Sequence, residues 1–239
     1  VFPYMFIIMG ITFGLASGST AIIAKFIGKG ERENAEIAAG QTILIGIIVS
    51  FIIIVITLIF RENIFSIQNA KGQSVGYAID YFRILSAGSI FMILGVFFRS
   101  ILSGEGDNVF PVKILGIGTI INILLDPIFI KSYSVKGAAL ATVISQAVVC
   151  LIFIYYLIFK HNSYIKFDFK NFSFNFNILK DILNVGFPAS LSMIIMSVGI
   201  FIFNYILTIG SGNESAVAAY QIGGRIEHLF FIPIISIAT

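Results

Sequence analysis

The chain is 239 residues long, 58% hydrophobic and only 11% charged, where a soluble domain carries about a quarter charged residues. The charges fall in short clusters separated by uncharged runs long enough to cross a ~30 Å hydrocarbon layer, which excludes a soluble core and assigns the chain to the membrane. The net charge of +3 is scattered over the connections, which excludes nucleic acid as a partner, and a single cysteine, Cys150, excludes an internal disulfide or a thiolate metal site.

Residues 1–24 carry no charge and end at Lys25, Lys29 and Arg32, giving the first predicted span. Gly10, Gly14 and Gly18 form two overlapping small-xxx-small steps on it, a flat groove that serves as a packing seam or as a surface that slides. A second uncharged run covers 37–60. The third span starts near Val75 and carries Asp80 and Arg83 in its first turns, three residues apart and so able to pair near the membrane interface. A fourth runs from Ile114 to Ile130 with Asp126 as its only charge, a fifth from Gly137 to Phe159 and a sixth from Ile182 to Ile209; a seventh begins near Ala216 and is unfinished. Runs of this length are helices, since strands of a membrane barrel would alternate over ~10 residues. The chain is thus read as an all-α, polytopic helical bundle. It opens at Val1 inside an apolar run and stops at Thr239 inside another, so further helices are expected at both ends.

Alternate connections differ in lysine and arginine. Lys25, Lys29, Arg32, Arg99, Lys113, Lys160, Lys166, Lys170 and Lys180 lie on one side, against Arg61, Lys71, Lys131 and Lys136 on the other, so the first side is read as cytoplasmic. The longest connection, 160–180, interleaves lysines with Phe167, Phe169, Phe172, Phe174 and Phe176. That composition favours the headgroup layer, and a short β-ribbon also fits the alternation. This linker divides the chain into a five-helix bundle at 1–159 and a second part at 181–239.

A carboxylate in hydrocarbon costs roughly 2.5 to 3.5 kcal/mol on insertion scales and calls for a partner or a function. Asp126 precedes Lys131 by five residues, about 7 Å into its helix, and Asn122 lies one turn deeper on the same face. Pro127 lacks an N–H, which leaves the Ile123 carbonyl without its helical donor. Thr142, six residues after Lys136, reaches about the same depth on the returning helix. Four oxygens can therefore converge as a Na⁺ shell or around a proton-carrying carboxyl; alternatively, Asp126 bonds a kinked helix. Arg225 and Glu227 in the last span read as a structural ion pair, with Glu227 as a second proton carrier in the sharper reading. No His/Cys/Glu spacing resembles a zinc site, and there is no nucleophile elbow, phosphate loop or dinucleotide fingerprint, so neither an enzyme, a cofactor nor ATP is expected.

The stretch 99–146, RSILSGEGDNVFPVKILGIGTIINILLDPIFIKSYSVKGAALATVISQ, resembles the multidrug and toxic compound extrusion (MATE) transporters, through a Gly-rich turn, an N-x-x-x-D-P element and G-A-A-x-A-T-x-x-S-Q. GKGERENAEIAAGQ from Gly28, GFPASLS from Gly186 and AAYQIGGRIEHLFFIP from Ala218 resemble the family's first cytoplasmic loop and the opening of its second half. The resemblance implies two six-helix lobes, of which this chain holds helices two to eight, and makes Asp126, Asn122 and Thr142 the cation site, with a further carboxylate on the first helix. Met196 stands where some members carry an acidic residue.

The implied activity is Na⁺- or H⁺-coupled export of amphipathic organic cations by alternating access, in a monomer spanning the plasma membrane. Two other readings exist. A flippase of lipid-linked saccharides would share the architecture but need a basic cavity, whereas only Arg83 and Arg225 fall within spans. An intramembrane aspartyl protease is suggested by G-x-G-D at 104–107, yet that motif follows Arg99 in a polar turn rather than within the membrane.

Overall fold

The computed structural model describes residues 2–66, 73–159, 164–165, 173–211, 220 and 222–224. Six long helices follow one another: α1 Phe2–Gly28, α2 Arg32–Ser66, α3 Gln73–Gly104, α4 Val109–Tyr133, α5 Val135–Phe159 and α6 Phe176–Ser211. Each contains a stretch long and apolar enough to cross a membrane, and no strand occurs among the described residues. The seventh predicted span begins in residues outside the described set, of which only 220 and 222–224 are seen, in helical conformation.

The helices outrun the uncharged runs that predicted them. At 35 residues, α2 is about 52 Å long at 1.5 Å per residue, so it tilts or extends past a ~30 Å hydrocarbon layer. The start of α6 differs most. The uncharged run begins only after Asp181, but Asn175 caps the helix: its Oδ1 accepts the backbone N–H groups of Asn177 and Ile178 at 3.0 and 3.4 Å. Residues 176–180, expected in the linker, are the first turns of α6; of the rest of that linker, only 164–165 and 173–175 are described.

Two turns on one side of the bundle are built alike. After α1, Gly30 has φ 73° and donates to the Ile27 carbonyl, while the Glu31 N–H reaches Phe26. After α3, Gly106 has φ 86° and donates to Ser103, while the Asp107 N–H reaches Leu102. Both are Schellman ends, in which a left-handed residue satisfies two terminal carbonyls and glycine avoids the Cβ clash.

By compactness the chain divides at 193/194. In the first unit α3 is the hub, packed against α1, α2 and α5, while α4 packs on α5. Phe97, Ile93, Ile101 and Leu102 of α3 are fully buried against Ile23 of α1, Ala38 of α2 and Phe153 of α5. The first half of α6 lies along α1 at the predicted glycine groove. A Cβ on Gly18 would stand 2.5 Å from the Ile182 carbonyl oxygen and 2.6 Å from the Gly186 nitrogen, and the Ser190 hydroxyl lies 2.9 Å from the Gly186 carbonyl oxygen of its own helix and 3.2 Å from the Ile11 carbonyl oxygen of α1. The groove is thus a packing seam matched by small residues on both helices. In the second unit, the rings of Phe203 and Tyr220 lie 4.8 Å apart.

Hydroxyls inside the bundle bond their own helices. Thr42, Ser50, Thr57, Ser86 and Ser145 each donate to the carbonyl four residues back, at 2.6 to 2.8 Å. The Thr20 hydroxyl lies between two carbonyl oxygens, 3.1 Å from Ala16 of its own helix and 3.0 Å from Ser100 of α3.

Candidate functional site

Helix α4 sorts its residues by side. Ile120, Ile123, Leu124 and Ile128 are about three-fifths exposed, whereas Pro111, Ile114 and Gly118 are buried. Asn122 and Asp126 continue the buried row at helical spacing and are half-buried. Two close approaches fix the antiparallel register of α4 against α5: a Cβ on Gly118 would collide with the Val149 side chain, and one on Gly137 with the Phe129 carbonyl. Between these crossings, equal rise per residue sets Asp126 about level with Ala141 and Asn122 about level with Ser145.

Asp126 Oδ1 and Asn122 Nδ2 are both buried with no hydrogen-bond partner. One is an acceptor and the other a donor, one turn apart, yet they do not satisfy each other. Buried polar atoms are nearly always paired, so two orphans on adjacent turns mark a place suited to a cation, a proton or another polar group. The donor set of one carboxylate and one carboxamide suits a hard monovalent cation or a proton.

Thr142 stands at the predicted depth, level with Asp126, but no hydrogen bond joins them. Its hydroxyl donates to the Ala138 carbonyl at 3.0 Å and lines a cavity of about 130 Å³ with Thr57 of α2, Ser86 and Ser89 of α3 and Gln146 of α5. Asp126 and Asn122 are not among the residues lining that cavity. Depth follows from rise per residue, but direction depends on how each helix is rotated, which spacing alone does not fix.

Asp80 and Arg83 do not form the expected pair. The Asp80 carboxylate lies 2.9 Å from the Lys136 Nζ at the start of α5, and Arg83 is exposed. A lysine from a neighbouring helix reaches Asp80 without the rotamer restriction of a partner three residues along, so the inter-helix pair forms instead. Arg225 and Glu227 fall outside the described residues. Among the described residues, no three or more His, Cys, Asp or Glu side chains gather to hold a metal ion.

Sequence reasoning passed over a polar clasp where α3, α5 and the linker meet. Asp107 Oδ1 accepts the Phe110 N–H at 3.1 Å and its Oδ2 accepts the Tyr156 hydroxyl at 2.8 Å, while the Tyr156 ring stacks on Phe110 at 3.3 Å. Glu105 Oε1 accepts the backbone N–H of Ile165 at 2.8 Å, and Ile165 is 1% exposed in the core. Arg32 sits over the Tyr164 ring at 5.8 Å. Gln41, fully buried, donates to the Asn175 carbonyl at 2.8 Å. The signal available in the sequence was the pair of acids in GEGD, set against a linker with no other acid before Asp168.

Comparison with known proteins supplies the context for this geometry. The profile of the MatE family matches residues 1–128. A probable multidrug resistance protein of Bacillus subtilis is 28% identical over 99% of this chain and 52% of its own length. One of Thermotoga maritima is 30% identical over 93% of this chain and 48% of its own. Two solved structures of multidrug resistance MATE transporters match 98% of the chain: an inward-facing one with TM-score 0.87 and 35% identity, covered over 53% of its length, and an outward-facing one with TM-score 0.88 and 34% identity, covered over 52%. The chain spans about half the length of the relatives it matches.

Proposed function

The chain belongs to the MatE family, and from that premise we propose that its protein exports amphipathic organic cations, drawing energy from Na⁺ or H⁺ entering at Asp126. The observation that carries this reading is the pair of buried, unpartnered polar atoms, Asp126 Oδ1 and Asn122 Nδ2. An ionised carboxylate held without a positive partner in the span is unstable by several kcal/mol, so the site favours whichever state of the protein brings a cation or proton to it. Binding to one state better than the other is all that coupling requires. Thr142, at the same level on α5, supplies a further oxygen if α4 and α5 rotate relative to one another.

The near-equal likeness to an inward-facing and an outward-facing transporter supports a rigid-body scheme, in which this half keeps its internal packing while its setting changes. The side bearing Lys25, Lys29 and Arg32 is read as cytoplasmic in the plasma membrane.

The test is dye exclusion by cells expressing the full-length gene, with a fluorescent cationic dye and with the Na⁺ and proton gradients removed in turn. Wild type is expected to exclude dye under one gradient. Asp126→Asn should lower exclusion about tenfold, the factor carried by ~1.4 kcal/mol of coupling, while Asp80→Asn leaves it unchanged. Export by Asp126→Asn equal to wild type, or no exclusion under either gradient, would overturn the reading.

A further inference from the structure

A second cavity has no part in the site above. It is a slot of about 210 Å³ lined by seven side chains from three helices: Ile43 and Ile47 of α2, Leu94 and Phe98 of α3, and Ile154, Leu157 and Ile158 of α5. On each helix two of these residues are four apart, and such rows run nearly along a helix axis. The slot therefore lies along the direction in which the helices cross the membrane, the direction of lipid tails. Phe98 is buried and forms its floor; Ile47 and Ile158, at 47% and 46% exposure, form open lips.

The slot's size and surroundings select its occupant. A volume of about 210 Å³ is too small for a helix, which with its side chains is ~10 Å across. The walls carry no polar side chain that could hold water or an ion. On either side the protein surface is apolar and outward-facing, through Ile48, Phe51 and Ile52 of α2 and Leu151 and Tyr155 of α5. At the end of α5, Tyr155 and Phe159 stack at 4.9 Å with both rings exposed, the arrangement that marks the headgroup level. An acyl chain entering beside them would have its glycerol and phosphate among the headgroups and its tail down the slot.

We propose that this slot is a lipid site, holding one acyl chain of a bilayer phospholipid between α2, α3 and α5. It does not rest on the transport reading and stands or falls separately. The experiment uses the full-length protein with a photoreactive diazirine side chain at position 47, on the lip, or at position 52, on the outer face of α2 with matched exposure of 48%. After extraction from phospholipid membranes, detergent washing and irradiation, mass spectrometry should find severalfold more phospholipid adduct at 47 than at 52. Filling the slot with Leu94→Trp should abolish the excess while leaving position 52 unchanged. Equal adduct at both positions would mean annular lipid only, and crosslinks from 47 to another stretch of protein would mean that a protein segment covers the slot; either result overturns the proposal.

Discussion

Gly18→Ala offers a test of the α1–α6 seam with a magnitude set by the geometry. The added Cβ would lie 2.5 Å from the Ile182 carbonyl oxygen, 2.6 Å from the Gly186 nitrogen and 2.7 Å from the Gly186 Cα. All three atoms are backbone, so no side chain can swing away, and ordinary contact at about 3.4 Å requires the helices to part by about 1 Å. Overpacking costs about 1–3 kcal/mol, and a destabilisation of that size is expected. The assay is the thermal midpoint of monomer loss for the purified full-length protein in detergent, with Gly116→Ala, which meets nothing within 4 Å, as the matched control. Gly46→Ala should fall between them, because its nearest neighbours, Phe97 Cδ2 at 2.9 Å and Leu94 Cδ2 at 3.2 Å, are side-chain atoms that can shift. A Gly18→Ala protein as stable as Gly116→Ala would refute the backbone contact.

Two smaller effects follow from the polar contacts. A double-mutant cycle on Asp80→Ala and Lys136→Ala should give a coupling below about 1 kcal/mol, since both side chains are about half exposed, and a cycle of Asp80→Ala with Arg83→Ala should give none; coupling confined to Arg83 would refute the assigned pair. Glu105→Ala removes a charged acceptor from the Ile165 amide, so hydrogen exchange at that amide should quicken by about tenfold with little change at Ile182; an unaltered rate at Ile165 would show that the bond does not hold the linker.

The helices were legible because an uncharged run of twenty residues has few alternatives to a membrane helix, and six of the seven predicted spans lie in the described residues. Their ends were less so. Charge clusters locate where a chain leaves hydrocarbon, whereas a helix stops where its backbone is capped, which is why α6 begins after Asn175 rather than after Asp181. The glycine groove on α1 was readable as a surface, but not the helix that fills it, because Gly186 and Ser190 are 168 and 172 positions beyond Gly18. At the candidate site, Asn122 and Asp126 share a face because they share a helix. The depth of Thr142 followed from arithmetic, yet its direction is set by α3 packing against α5. The Asp80 pairing went astray for the same reason, since a local spacing rule cannot see Lys136 on another helix. Ile165 gave no local sign of burial among the aromatic and basic residues around it.

The hydroxyls that bond within their own helices bear on how such a bundle can rearrange. With their protons committed to the carbonyl one turn back, Thr42, Ser50, Thr57, Ser86 and Ser145 do not tether one helix to the next through that proton. Sliding or rotating two of these helices past each other thus leaves those five bonds intact, and resistance to the motion comes mainly from interlocking carbon surfaces. Friction of that kind is short-ranged, and a single added methyl group at a crossing can set it.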